Sequence, residues 1–85
     1  MKANFFRLNF YLTEALKRVE PILEENKTTE DVEIDDCIVS RKQLEQLCVC
    51  CKMCLSGKDA EIEVPLELIV MDEFWRNFAN FLKES

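Results

Sequence analysis

The segment from Ser40 to Gly57 constrains the fold most, because it carries signals for both ends of one helix. Ser40 followed by Gln43 matches the capping box that begins helices. Gly57, the only glycine in the chain, suits the left-handed residue that ends them. Apolar residues between these points recur at intervals of three and four. The sequence therefore predicts a helix over 40–56.

This helix contains four cysteines within seven residues, from Cys48 to Cys54. On a helical wheel Cys51 lies at the centre of the apolar arc, with Leu44 and Leu47 on the same arc. Free cysteine is among the most buried residue types, so we interpret the cluster as part of a core-facing stripe. Cys50 lies at the edge of the arc, and we expect it to be the most reactive thiol.

Metal binding and redox chemistry are the two alternative interpretations of the cysteines. Structural zinc sites use two separate cysteine pairs, whereas the two Cys-x-x-Cys spacings here share Cys51, and only Cys37 lies outside the cluster. Cys50 and Cys51 are adjacent and cannot bridge within a helix without distortion. The chain has no histidine to act as a base for a nucleophilic thiol. We predict no metal and no cofactor.

Two further stretches have helical periodicity. In residues 3–25 one arc of the helical wheel is apolar, and it holds Phe5, Leu8, Leu12, Ala15, Leu16 and Val19. Pro21 is expected to kink or restart this helix. In residues 65–83, Pro65 suits the first turn, with Leu66, Val70 and Phe74 on one face.

The predicted fold class is all-α, a small three-helix domain that occupies residues 1–85 as a single unit. The helices are expected at about 3–25, 40–56 and 65–83. The alternative is an α+β fold in which a short two-stranded element pairs 32–34 with 61–64, because apolar and polar residues alternate in both stretches.

The net charge of -6 is concentrated in two blocks. Residues 20–36 hold eight acids against Lys27 alone, and residues 59–73 hold six acids and no base. The chain has no continuous basic surface that could follow a phosphate backbone, so we predict no direct binding to nucleic acid or to an anionic membrane.

No apolar run approaches the roughly 20 residues of a membrane span, and no signal peptide is recognisable. The chain has five cysteines, an odd number, and no recognisable signal peptide. Together these observations predict a cytoplasmic protein whose thiols are free.

No catalytic motif is present, so we predict that the protein is not an enzyme. The informative features are apolar side chains that lie off the core-facing arcs, where they could contact another chain. The candidate partner-binding residues are Phe6, Phe10, Val49, Met53 and Trp75. The predicted function is a non-enzymatic protein–protein interaction module that self-associates or binds and regulates a partner protein.

Two alternative functions remain open. The first is an acidic inhibitor that mimics a nucleic acid and binds a DNA- or RNA-handling protein. Its acidic face is predicted at Glu30, Asp31, Glu33, Asp35 and Asp36. The second is a thiol-based metal-binding protein that uses the cysteine cluster. Compact acidic chains of this size without motifs are typical of phages and other mobile elements, and we expect such an origin.

Overall fold

The computed structural model describes the backbone of residues 2–84 and the side chains of residues 5–84. The elements are α1 (Lys2–Glu25), β1 (Asp31–Ile34), β2 (Cys37–Ser40), α2 (Arg41–Leu55), α3 (Leu66–Met71) and α4 (Glu73–Glu84). The molecule is mostly helical, as predicted. It also contains a two-stranded antiparallel sheet, so the all-α class is only partly right.

The strands β1 and β2 form a hairpin that follows α1 directly. Val32 pairs with Val39, and both side chains are completely buried. Asp35 turns the chain with a φ of 54°, a left-handed conformation that aspartate tolerates better than most residues. The predicted strand at 32–34 is therefore confirmed, but its predicted partner is wrong. Residues 61–64 form no strand, because the tight turn at Asp35 pairs β1 with the segment nearest in sequence.

The helix α2 has the boundaries that its sequence predicts, within one residue at each end. Gly57 has a φ of 86°, and its N–H donates to the carbonyl of Cys54 at 3.1 Å, which confirms the predicted left-handed cap. Ser40 precedes the helix but makes no capping hydrogen bond through its side chain. Instead, the Arg41 N–H donates to the carbonyl of Glu30 at 2.9 Å, so the start of α2 is joined to the hairpin.

The helix α1 continues without interruption through Pro21, where a kink or restart was expected. Proline at this position removes the hydrogen bond to the carbonyl of Lys17, four residues earlier. Both residues lie on the exposed side of α1, where water can satisfy that carbonyl. A single long helix is therefore compatible with the proline.

The helix predicted over 65–83 is divided at Asp72 into α3 and α4. Asp72 has extended backbone angles, and its Oδ1 accepts a hydrogen bond from the Phe74 N–H at 2.8 Å. Its Oδ2 lies 3.4 Å from Nη1 of Arg18 on α1. Asp72 thus caps the start of α4 and ties it to the first helix.

The change of direction at Asp72 alters which side of α3 faces the core. Leu68 is buried, whereas Leu66 and Val70 are among the most exposed large apolar residues of the described chain. The prediction that Leu66, Val70 and Phe74 share one core face is therefore wrong. It assumed one continuous helix, and the helix ends between Val70 and Phe74.

Removing the carboxylate at Asp72 tests this junction. We expect Asp72→Ala to lower the free energy of unfolding by about 1–2 kcal/mol, because the variant loses the helix cap and the ion pair together. Asp72→Asn keeps a capping oxygen and should cost less than the alanine variant. The measurement is urea unfolding followed by circular dichroism. Equal costs for the two variants, or no cost for either, would contradict the capping role.

Candidate functional site

The helix α1 is much longer than its neighbour α2. It has 24 residues against 15, which corresponds to about 36 Å against about 22 Å. The end of α2 lies beside the second half of α1, where Lys52 Nζ is 2.9 Å from Glu20 Oε2. Leu55 ends α2 only three residues beyond Lys52. The first part of α1, about four turns, therefore extends past the end of α2.

Phe5 lies in this first part of α1. It lies two turns before Leu12 on the same face of α1. Leu12 is 1% exposed, whereas Phe5 is 63% exposed. The prediction that Phe5 belongs to the core stripe is wrong, because α4 contacts this part of α1 through Arg7 and Tyr11, on another side of the helix.

Phe6 and Phe10 lie one turn apart on the side of α1 that points away from the core. They are 70% and 58% exposed, in agreement with their prediction as outward-facing residues. The ring of Phe6 meets that of Phe5 edge to face at a centroid distance of 6.0 Å. We call Phe5, Phe6 and Phe10 the phenylalanine surface.

The phenylalanine surface rests on a well-packed aromatic layer. The Tyr11 ring contacts Phe10 edge to face at 5.7 Å and stacks on the buried Phe78 of α4 at 5.2 Å with an interplanar angle of 6°. The guanidinium of Arg7 lies 5.8 Å from the centre of the Phe81 ring. This part of α1 is thus packed against α4 through Arg7 and Tyr11.

The phenylalanine surface carries little charge. Arg7 is the only charged residue between positions 5 and 13. The next two charged residues along α1, Glu14 and Lys17, pair with each other at 3.6 Å. Burial of this surface against another molecule would therefore desolvate few charged groups.

The structure separates the remaining predicted partner-binding residues from this surface. Trp75 is 3% exposed and packs in the core against Phe74 and Phe78, so its predicted place in a partner-binding surface is wrong. Val49 and Met53 are exposed on α2, as predicted. Met53 lines a shallow groove with residues 59–63, whereas Phe6 and Phe10 line a different one with Arg7 and Tyr11.

The cysteine cluster lies mainly inside the molecule. Cys51 is completely buried at the centre of the stripe, as predicted. Burial and, to a lesser degree, the neighbouring cysteines raise the pKa of Cys51 to about 12. Burial, followed by the nearby carboxylate of Glu20, raises the pKa of Cys48 to about 11. Thiols in such surroundings stay protonated at neutral pH and are poor nucleophiles.

The expected reactivity of Cys50 is not supported, because its side chain is also buried. The irregular segment after α2 covers this side of the helix, and residues 59–61 lie beside Cys50. The Cys54 thiol donates to the carbonyl of Ala60 at 3.6 Å, and burial raises its pKa as well. Within the described residues, no group of three or more Cys, Asp and Glu side chains is arranged to hold a metal ion.

The predicted acidic face lies on and beside the β-hairpin, at the opposite end of α1 from the phenylalanine surface. Glu30, Asp31, Glu33, Asp35 and Asp36 are all exposed. The carboxylates that form ion pairs within residues 5–84 lie elsewhere, at Glu14, Glu20, Glu24, Glu45 and Asp72. The acids of the hairpin therefore face solvent without basic partners.

Comparisons of the chain with protein-family models, with curated proteins and with solved structures found no match. None of the helices in residues 2–84 is both long and apolar enough to span a lipid bilayer.

Proposed function

We propose that this chain is a non-enzymatic protein–protein interaction module that docks through the phenylalanine surface. The observation that carries the proposal is the position of three exposed phenylalanine rings where α1 extends past α2. The chain buries the rings of Trp75 and Phe78 but leaves those of Phe5, Phe6 and Phe10 exposed to solvent. The exposed rings present an apolar surface that is suited to contact with another protein.

The exposed area fits a docking site. A phenylalanine buries 150–250 Å² when it is fully covered, so three rings exposed to this degree present about 400 Å² of apolar surface. Isolated apolar residues are common on protein surfaces, and the largest apolar patch of a typical monomer is about 300–600 Å² and often functional. Aromatic residues are also enriched at the centres of protein interfaces.

Photo-crosslinking in cells of the organism that encodes the protein tests the proposal. We expect p-benzoylphenylalanine at position 6 to form a covalent adduct with a protein chain, and the same group at position 49 to form far less. Both positions are exposed and helical, so the comparison controls for accessibility. Equal yields at the two positions, or no adduct at position 6, would contradict docking through this surface.

The acidic inhibitor is a second candidate, favoured by the exposed and unpaired acids of the hairpin. Its partner would be a basic groove, and binding would weaken steeply with salt. The same crosslinking experiment, extended to position 35, separates the two candidates. Adducts at position 35 that disappear when Glu30, Asp31 and Asp36 are neutralised would support the inhibitor and not the module proposed above.

A further inference from the structure

We infer that a second surface of this protein binds a basic segment of a partner protein, in a groove between α2 and the irregular segment that follows α2. This groove is separate from the phenylalanine surface, so the inference goes beyond the function proposed above. It follows from the shape of the groove, from the single sign of the charges that line it and from the apolar side chains exposed at one end.

The groove runs along one side of α2. Its first wall consists of Gln43, Gln46, Cys50 and Met53, which lie three or four residues apart on the helix. Its second wall is formed by the segment between α2 and α3 and by the start of α3. Two pockets of about 360 and about 400 Å³ adjoin here and share Gln46 and Glu63. We call the whole depression the α2 groove. It is about 15 Å long, which accommodates about five residues of an extended chain.

The charged side chains that line the α2 groove are all acidic. They are Asp59, Glu61 and Glu63, which are exposed and form no ion pair within residues 5–84. Exposure alternates along residues 59–64, because Ile62 and Val64 pack against the core. The three carboxylates therefore recur at every second residue, roughly 6–7 Å apart along an extended chain.

This spacing and sign of charge specify the chemistry of the partner. A segment with lysine or arginine at every second position has the same repeat of roughly 6–7 Å when it is extended. Each of its basic side chains can then meet one carboxylate of the second wall, whereas an acidic segment would be repelled. The groove therefore fits a basic segment in an extended conformation.

The end of the groove at α3 adds an apolar contact. Leu66 lines the groove and is 69% exposed, and Val70 lies one turn later and is 70% exposed. Beside Leu66 the groove is lined by Pro65, which is buried, and by Ile69, which is half-buried. A solvated run of acids needs no such apolar neighbours, but a bound segment with an apolar residue at one end would cover them.

Fluorescence anisotropy with the purified chain under reducing conditions tests the inference. The probe is a fluorescein-labelled peptide in which three lysines alternate with threonine and two leucines follow. We expect a dissociation constant on the order of 10–100 µM at about 50 mM salt, and binding at least about fivefold weaker at about 300 mM salt. The same peptide with glutamate in place of each lysine should not bind.

Neutralising the groove locates the binding. The triple variant Asp59→Asn/Glu61→Gln/Glu63→Gln should bind the lysine peptide at least about tenfold more weakly, because three ion pairs are lost together. The matched control removes one aspartate and two glutamates from the hairpin, so it has the same net charge, and it should change binding by less than about threefold. The control substitutions are Glu30→Gln, Glu33→Gln and Asp36→Asn.

Two single variants separate the α2 groove from the phenylalanine surface. Leu66→Gln should weaken binding of the lysine peptide about threefold, since the two leucines of the peptide lose their apolar contact. Phe6→Ala should bind the peptide as the wild type does, because Phe6 lies on the other surface. Circular dichroism confirms that each variant is folded.

Three results would overturn the inference. The first is a lysine peptide that fails to bind at about 1 mM, or that binds no better than the glutamate peptide. The second is an equal loss of binding in the groove variant and in the hairpin control. The third is binding that is lost in Phe6→Ala but kept in the groove variant. That result would place the peptide on the phenylalanine surface, and the proposed function would stand without the α2 groove.

Discussion

Replacing Phe78 by alanine is expected to lower the free energy of unfolding by about 3–5 kcal/mol. Phe78 is completely buried, and it stacks on Tyr11 and lies against Phe74 and Trp75. The substitution removes the ring that joins α4 to α1 and leaves a cavity among aromatic neighbours. A chain of 85 residues has a total stability of about 4–13 kcal/mol, so this loss brings the variant close to unfolding.

Phe6→Ala is the matched control for this substitution, because the same side chain is removed from an exposed helical position. Measured at low micromolar concentration, it should change stability by no more than about 0.5 kcal/mol. Urea unfolding of both variants, followed by circular dichroism, provides the comparison. A cost for Phe6→Ala similar to that of Phe78→Ala would mean that the Phe6 ring is covered within the monomer.

Stability is also expected to fall steeply in alkali. In the unfolded chain Cys48 and Cys51 have the ordinary pKa of 9.0, whereas in the folded chain their pKa values are about 11 and about 12. Above pH 9 the unfolded state therefore binds fewer protons than the folded state, so stability decreases as the pH rises. The two thiols together should remove about 5 kcal/mol between pH 8 and pH 11.

The double variant Cys48→Ala/Cys51→Ala separates this effect from all other groups that titrate in alkali. It will be less stable at pH 8, but its stability should depend much less on pH between 9 and 11. The measurement is the free energy of unfolding in urea at several pH values under reducing conditions. An identical pH dependence in the wild type and the double variant would show that these thiols are not buried in the fold.

The features of α2 could be predicted because they are encoded locally. The helix ends near Gly57 because this glycine adopts a positive φ, which other residues adopt only with strain. The burial of Cys51 follows from the helical periodicity of the apolar residues. The strand at 32–34 was also visible in the alternation of Val32 and Ile34. Its partner was not, because apolar and polar residues alternate in 61–64 and do not alternate in 37–40.

The candidate site could be predicted only in part, because exposure depends on neighbours that a helical wheel does not contain. Phe6 and Phe10 were identified since they point away from any core. Phe5 was placed in the core because the apolar arc of the helical wheel does not show that α4 contacts the start of α1 on the side of Arg7 and Tyr11. Trp75 was placed at the rim of its helix, whereas in the folded chain it is buried beside Phe74 and Phe78.

The exposure of apolar side chains on α3 was not predicted, because the sequence indicated one continuous helix over 65–83. Leu66 and Val70 are exposed because α3 ends at Met71, so Phe74 belongs to α4 and does not continue their face. An aspartate followed by an acidic residue is also compatible with a continuous helix, so the cap at Asp72 is recognisable only once the Phe74 N–H is seen to bond its carboxylate.

The central claim is that the open side of α1 binds another protein chain through its phenylalanine rings. The most direct measurement is the yield and mass of the adduct that p-benzoylphenylalanine forms at position 6 in cells, compared with position 49. We predict a strong adduct at position 6, with the mass of this chain joined to another protein chain, and far less adduct at position 49. The absence of any protein adduct at position 6, with the protein folded and present at its normal level, would contradict the claim.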